Sequence, residues 1–224
     1  MHVAIILDGN GHWATRRAAG PVEGADALRA TVEAAARAEV DTLTLYAICT
    51  ANWARPPEEV DAVLRMLSNY LCTQTDHCVE QFIRISVIGR CDRLSAELLR
   101  AIEQSEQLSA AGARMHLRIV VDYSAHDSIV QATWRAAGGA KLTPEDFHRR
   151  LREVDHTALP AGAVDLLIRT GGGQRLSDFM LWEVAYAHLH FADCLWPDFN
   201  EKEFQRALGN YAGRHRPLYG HARQ

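Results

Sequence analysis

The sequence predicts an α/β fold in a single domain, with a mostly parallel central sheet and helices on both of its faces. Three observations carry this. Short apolar runs, nearly continuous and rich in β-branched residues or Leu, fall at about 2–7, 42–48, 84–89, 116–122 and 164–168, the pattern of strands buried on both sides. Between them lie stretches of helical periodicity, and strands alternating with helices imply parallel pairing through crossovers. The chain has 224 residues, 48% of them hydrophobic, which suits one core, since a domain of this size buries roughly 70% of its unfolded surface.

The first strand ends on Asp8-Gly9-Asn10-Gly11, and a helix over about 24–38 leads to the strand at 42–48. Residues 57–71 give the clearest helix: Val60, Val63, Leu64, Leu67 and Leu71 recur on one face behind the start signal Pro56-Pro57-Glu58-Glu59. Further helices are expected at about 92–110 and 125–138, after the strands at 84–89 and 116–122. Thr143-Pro144-Glu145-Asp146 starts one over about 143–153, and the last two fall at about 178–188 and 201–212. There is no internal repeat and no low-complexity segment.

Composition excludes several classes of function. A net charge of −4 argues against the broad basic surface of a nucleic-acid binder, so an anionic ligand must meet a local basic pocket. The five cysteines (Cys49, Cys72, Cys78, Cys91, Cys194) are odd in number and show no CxxC spacing. Neither a disulfide framework nor a zinc ribbon is indicated, and reduced thiols in a cytoplasmic setting are expected. With no apolar run of the ~20 residues a membrane span needs, and Met1 running almost directly into the first strand, a soluble protein is expected.

In such a sheet, ligands gather beyond the carboxyl ends of the strands. Three motifs fall there: Asp8-Gly-Asn-Gly, Thr50-Ala-Asn52-Trp53-Ala-Arg55-Pro56, and Arg169-Thr-Gly-Gly-Gly-Gln-Arg175-Leu-Ser177. Asp8-Gly9-Asn10-Gly11 reads either as a plain turn or as an anion cradle whose acid makes sense as a ligand of Mg²⁺ bridging to a diphosphate. It matches neither GxGxxG nor a P-loop. In 169–177, two arginines flank three glycines ahead of the helix expected from about 178, which reads as a diphosphate site or as a solvated glycine loop whose arginines pair with surface acids, the first being favoured. The loop at 50–56 offers an amide, an aromatic ring and a guanidinium, for a ligand head or simply for the core. His188 and His190 could share a face and bind metal, or be unrelated.

Taken together, DGNGHWA at 8–14, LTLYAICTANWARP at 43–56, DLLIRTGGGQRLSDFMLW at 165–182 and LWPDF at 195–199 resemble the cis-prenyltransferase family, of the undecaprenyl diphosphate synthase type. The resemblance spans nearly the whole chain and implies a sheet of about six strands, a homodimer, and Mg²⁺-dependent prenyl transfer between small isoprenoid diphosphates. By the same resemblance Asp8 is the essential metal-linked acid, and Gly9, Asn10 and Gly11 cradle the donor's diphosphate. Asn52 and Arg55 stand near the reacting carbons, Arg169, Arg175 and Ser177 hold the acceptor's diphosphate, and Trp13, Trp53, Val63, Leu64 and Leu67 form support and tunnel wall.

The departures from that pattern bear on chemistry. His12 stands where elongating members carry Arg, Pro21 and Gly24-Ala25 replace a further Arg and a Gly-His pair, and Cys49, Ala51 and Gly173 replace a Ser and two Glu. His188 replaces a metal-linked Glu, so it could act as a metal ligand, although Mg²⁺ prefers oxygen. Three readings follow: a non-catalytic subunit, ordinary head-to-tail elongation with isopentenyl diphosphate, or the favoured one, a lavandulyl-type head-to-middle condensation of two dimethylallyl diphosphates to a branched C10 diphosphate, with or without cyclisation. Head-to-middle chemistry loses its proton from a different carbon, for which His12 is either a base or a neutral replacement for Arg.

Overall fold

The computed structural model describes residues 1–11, 13, 24–135, 142–154 and 162–214. Six strands form one sheet: β1 (His2–Ile6), β2 (Thr42–Cys49), β3 (Ile83–Ile88), β4 (Met115–Tyr123), β5 (Leu166–Arg169) and β6 (His188–Phe191). Their order is β3-β4-β2-β1-β5-β6, and every pairing is parallel. The described helices are α1 (Gly24–Arg37), α2 (Pro57–Glu80), α3 (Ala96–Leu108), α4 (Ala125–Arg135), α5 (Pro144–Val154) and α6 (Glu201–Arg214), with single 3₁₀ turns at Thr50–Ala54 and Trp196–Asp198. The alternation of strand and helix thus gives the parallel sheet that the apolar runs imply.

Period-2 alternation along the strands divides the core between two faces. Val3, Ile5, Leu43, Leu45, Leu117 and Ile119 point to the face covered by α1, α2, α3 and α6, while Ala4, Ile6, Tyr46, Val120 and Ile88 point to the other, where Phe179, Met180 and Val184 pack. Alanine at 27, 34, 35 and 36 of α1, all buried, lets that helix lie close to the sheet. α2 continues past the expected 57–71 to Glu80 because its inward face continues. Thr75 donates to the Leu71 carbonyl (2.6 Å) and its Oγ1 lies 2.8 Å from Ser105 Oγ on α3, and Cys78 is buried beyond it. α3 starts at Ala96 rather than near 92 because Ser95 caps it, its Oγ accepting from the Leu98 N–H (3.2 Å).

One predicted element is absent. The expected helix at 178–188 is instead a series of turns leading into β6. Ser177, Asp178 and Met180 have φ of 52, 59 and 44°, left-handed values that a right-handed helix does not contain. Met180 and Val184 are four apart and joined by one backbone bond (2.9 Å), so their spacing mimics a helix, but it closes only a turn that seats Phe179, Met180 and Val184 in the core. The segment then supplies the edge strand β6, paired with β5 from Leu166↔His188 to Arg169↔Phe191.

Candidate active site

β1 lies between β2 and β5, so the later strands are laid down on both of its sides, and the point where the strand order reverses opens a crevice at the carboxyl end of the sheet. Three loops converge there, following β1, β2 and β5. They line a cavity of about 870 Å³ that includes Asp8, Gly9, Asn10, Gly11, Trp13, Asn52, Arg55, Arg169, Arg175 and Ser177. Its apolar wall is Ile6, Leu7, Tyr46, Ile48, Val60, Ala62, Val63 and Met66. Residues separated by over a hundred positions thus meet around one cavity. His12 lies outside the described residues.

Asp8 is held by its backbone. Its N–H donates to Thr170 Oγ1 (2.9 Å), the Thr170 hydroxyl lies 2.8 Å from its carbonyl, and that carbonyl also accepts from the Trp196 N–H (3.0 Å). Gly9 follows at φ 110°, pressed against Leu195: an added Cβ would meet Leu195 Cδ2 at 2.8 Å and its Cα at 3.1 Å. Only glycine turns the chain there without moving the LWPDF segment. Trp13 is buried and donates from Nε1 to Asp198 Oδ1 (3.0 Å), which ties the first loop to the same segment.

The Asp8 carboxylate makes an ion pair with Arg169, whose Nη2 lies 2.6 Å from Oδ2. Arg169 also donates from Nη1 to Ser177 Oγ (2.6 Å) and to the Arg175 carbonyl, so one buried guanidinium links the first and third motifs. Arg175 is exposed at the cavity's rim. No helix begins at 178, so the anion donors of this loop are the two arginines, the Ser177 hydroxyl and backbone N–H groups at the turn. On the second loop, Asn52 Oδ1 accepts from the Cys49 N–H (3.0 Å), and its amide nitrogen keeps donors for a ligand. Arg55 pairs loosely with Glu59 (3.8 Å).

Four guanidiniums (Arg55, Arg65, Arg169, Arg175) and three carboxylates (Asp8, Glu58, Glu59) line the cavity among the described residues. This local basic surplus sits in an acidic chain, as an anionic ligand requires. Glu58, Glu59, Arg65, Thr170 and Tyr46 were not singled out by the motifs. The two glutamates serve in the sequence as a helix start, and only the packing of α2 beside the first loop, with Glu59 Oε2 3.6 Å from where a Gly11 Cβ would stand, turns them to the cavity. Tyr46 stacks on Phe179 (4.3 Å between centroids) and donates to the Tyr123 carbonyl (2.8 Å); burial pushes its phenol far above the ordinary range, so it stays neutral.

The arrangement fits Mg²⁺ in one way. Among the described residues no group of three or more His, Cys, Asp or Glu is placed to hold a metal, which excludes an all-protein cage built from them. Asp8, one-third exposed on the cavity with Oδ2 on Arg169, can supply a single carboxylate ligand to an ion whose other ligands are diphosphate oxygens and water, a common arrangement for Mg²⁺. His188 is not brought to Asp8 within the chain. It begins β6 opposite Leu166, three residues short of the strand ends that carry the site, and packs edge-on against Tyr211 (5.2 Å).

The sequence family described as putative undecaprenyl diphosphate synthase matches residues 6–219. The chain belongs to that family, the cis-prenyltransferases. A relative from Bradyrhizobium diazoefficiens named isoprenyl transferase 1 is 45% identical over 98% of this chain and 89% of its own. A Haemophilus ducreyi undecaprenyl diphosphate synthase, specific for farnesyl diphosphate by its name, is 40% identical over 98% and 94%. Among solved structures, lavandulyl diphosphate synthase from Lavandula x intermedia, in complex with dimethylallyl diphosphate, superposes with a TM-score of 0.88 at 32% identity, covering 96% of both chains. A probable undecaprenyl diphosphate synthase from Campylobacter jejuni gives 0.78 at 27%. This cis-prenyltransferase is therefore a prenyl-transferring enzyme. No helix among its described residues is long and apolar enough to cross a membrane.

Proposed function

We propose that this cis-prenyltransferase condenses two dimethylallyl diphosphates head to middle, giving a branched C10 diphosphate. The observation that carries a short product is where the cavity stops. Along the seam of α1 and α2 it reaches Met66 and no further; beyond lie Leu28, Leu67 and Leu71, none more than 2% exposed. A separate hollow of about 270 Å³ opens only past them, lined by Val32, Tyr70 and Cys78. The described residues leave no continuous channel there for a long chain, while 870 Å³ is ample for two C5 diphosphates, being near the upper end of small-molecule pockets.

In this reading the Asp8 loop receives the donor and the Arg169, Arg175 and Ser177 group holds the acceptor's diphosphate. The acceptor's double bond forms a carbon–carbon bond to C1 of the donor as the donor's C1–O bond breaks. Diphosphate leaves with the electron pair, and the tertiary cation then loses a proton. Asp8 would hold Mg²⁺ here, and the ion, when bound, would supply charge neutralisation to the leaving diphosphate. Asn52 and Arg55 flank the reacting carbons, Tyr46 and Met66 exclude water from the cation, and His12 is the candidate acceptor of the displaced proton. The lavandulyl synthase likeness, together with glycine or alanine at the positions where acidic side chains are the family habit, favours this over elongation.

Elongation with isopentenyl diphosphate is the second reading, favoured by the names of relatives at 38–45% identity. One experiment separates them. Purified protein and Mg²⁺ are given dimethylallyl diphosphate alone, then with isopentenyl diphosphate, and the dephosphorylated alcohols are identified by gas chromatography and mass spectrometry. A branched or cyclic C10 alcohol from the allylic substrate alone supports the proposal. Linear products that require isopentenyl diphosphate assign ordinary elongation.

A further inference from the structure

Arg169 is 2% exposed, and its guanidinium is shared among several partners. Nη1 donates to Ser177 Oγ (2.6 Å) and to the Arg175 carbonyl, and Nη2 to Asp8 Oδ2 (2.6 Å). Nε is buried and has no hydrogen-bond partner. The group lies directly on Gly173: a Cβ there would stand 2.8 Å from Nε, 2.9 Å from Nη2 and 3.0 Å from Cζ. Gly173 is outside the left-handed region, so an alanine could take its backbone conformation. What a side chain at 173 cannot do is coexist with this placement of Arg169.

We propose that Gly173 is a positioning residue that parks Arg169 on Asp8 in the substrate-free enzyme, so that Asp8 passes to a divalent cation only when a diphosphate draws the guanidinium away. The proposal rests on the reading of Asp8 as the carboxylate shared between Mg²⁺ and diphosphate. A cation arriving alone meets a carboxylate whose Oδ2 is already held by a guanidinium with a 3% exposed side chain; the two positive charges repel, and freeing Asp8 fully leaves a buried charge unpaired. A diphosphate removes the obstacle, since it offers Arg169 several charged acceptors in fork geometry and gives the idle Nε a partner. Cation and diphosphate then bind with positive coupling, each tightening the other by the same factor.

The test is Mn²⁺ binding to the full chain, followed by electron paramagnetic resonance with and without inorganic pyrophosphate and corrected for their complex in solution. The parent should bind Mn²⁺ about tenfold tighter with pyrophosphate. Gly173→Ala should bind Mn²⁺ alone about threefold tighter than the parent or more, with a smaller gain from pyrophosphate. Arg169→Gln should do the same, and adding Gly173→Ala to it should change nothing further, because both act through one ion pair. Equal Mn²⁺ affinity and equal coupling in the parent and Gly173→Ala overturn the proposal; if that variant does not fold, unchanged affinity in Arg169→Gln does so. Asp8→Asn separates the premises. If it binds Mn²⁺ with pyrophosphate as the parent does, the metal assignment fails and takes the proposal with it. If it loses binding while Gly173→Ala matches the parent, only the role of Gly173 fails.

Discussion

The guanidinium of Arg93 lies 4.7 Å from the centre of the Trp53 ring. Its edge clasps Asp122, Nε donating to Oδ2 at 2.7 Å and Nη2 pairing with Oδ1. Asp122 is fully buried, stands at φ 53°, and also accepts from the Thr50 hydroxyl (3.2 Å). The turn that presents Asn52 is thus fastened at Thr50 and Trp53 by residues that never face the cavity. Arg93→Met should cost roughly 3 kcal/mol of stability, because it strands a buried carboxylate. It should also lower turnover by about tenfold through misplacement of Asn52. Urea unfolding and single-turnover rates check both, and an unchanged rate in a folded variant removes the positioning role.

Asp8→Ala should abolish turnover in a protein that still folds, although with some loss of stability because buried Arg169 loses its carboxylate partner. The bonds that hold the residue, to Thr170 and Trp196, are made by its backbone and survive the substitution, whereas the carboxylate is the one group proposed to share the cation. Circular dichroism and product formation over a range of Mg²⁺ concentrations test this. Mg²⁺-dependent activity in the variant would overturn the metal assignment.

Gly9→Ala should be destabilising and should also impair substrate binding. Its φ of 110° and the 3.1 Å approach of a Cβ to the Leu195 Cα place backbone against backbone, which no rotamer change relieves. About 1–3 kcal/mol is expected from the strained conformation. Thermal melting and the KM for the allylic diphosphate report the two effects, and a neutral melt would mean the Leu195 segment moves freely.

Much of this was legible in the sequence because burial on both faces writes continuous apolar runs. Ile5, Leu45, Leu117 and Ile168 sit in such runs, and each run became a strand. The placement of the candidate site was legible for a related reason: Asp8 and Asn52 follow strands and Arg169 ends one, where a parallel sheet gathers its loops. Lost were features set by tertiary contact. β6 reads His-Leu-His-Phe, with no apolar run, because it is an edge strand, and its predecessor Met180-Val184 carries a helical spacing that left-handed backbone at Asp178 and Met180 overrides. His188 lies at the start of β6, opposite Leu166, a placement that sequence spacing does not reveal because it does not say at which end of a strand a residue lies. Gly173 looked like a lost carboxylate; only the packing of Arg169 upon it shows what its missing side chain permits.

His12→Phe should lower turnover well over tenfold or change the product isomer, because the proposed mechanism gives the displaced proton to an imidazole and a phenyl ring cannot take it, and general bases contribute about 10²–10⁴-fold. His12→Gln distinguishes hydrogen bonding from proton transfer. Products and rates like the parent's in His12→Phe would take the residue out of the mechanism.

Stability should fall with acid through His2. The ring is 5% exposed; Nδ1 donates to the Gly162 carbonyl (3.0 Å) and Nε2 accepts from the Thr44 hydroxyl (2.8 Å), which fixes the neutral form. Burial first, then the charge of Arg118 and the chain's amino terminus, lower its pKa from 6.5 to about 4 against the opposing pull of Gly162 and Asp165. His116 is lowered to about 4 as well, by burial and by Arg118, Arg84 and His2. In the unfolded chain both imidazoles bind a proton near 6.5. Between about 6.5 and 4 the unfolded state therefore holds more protons than the native one, so stability rises with pH across that window and is lost as pH falls through it. For His2 alone the loss from pH 7 to pH 5 is about 2 kcal/mol. Urea unfolding at those two pH values should show a smaller decline in His2→Gln, whose amide can make both hydrogen bonds without titrating. Parallel declines in parent and variant would mean that His2 is protonated in the native protein as readily as in the unfolded chain.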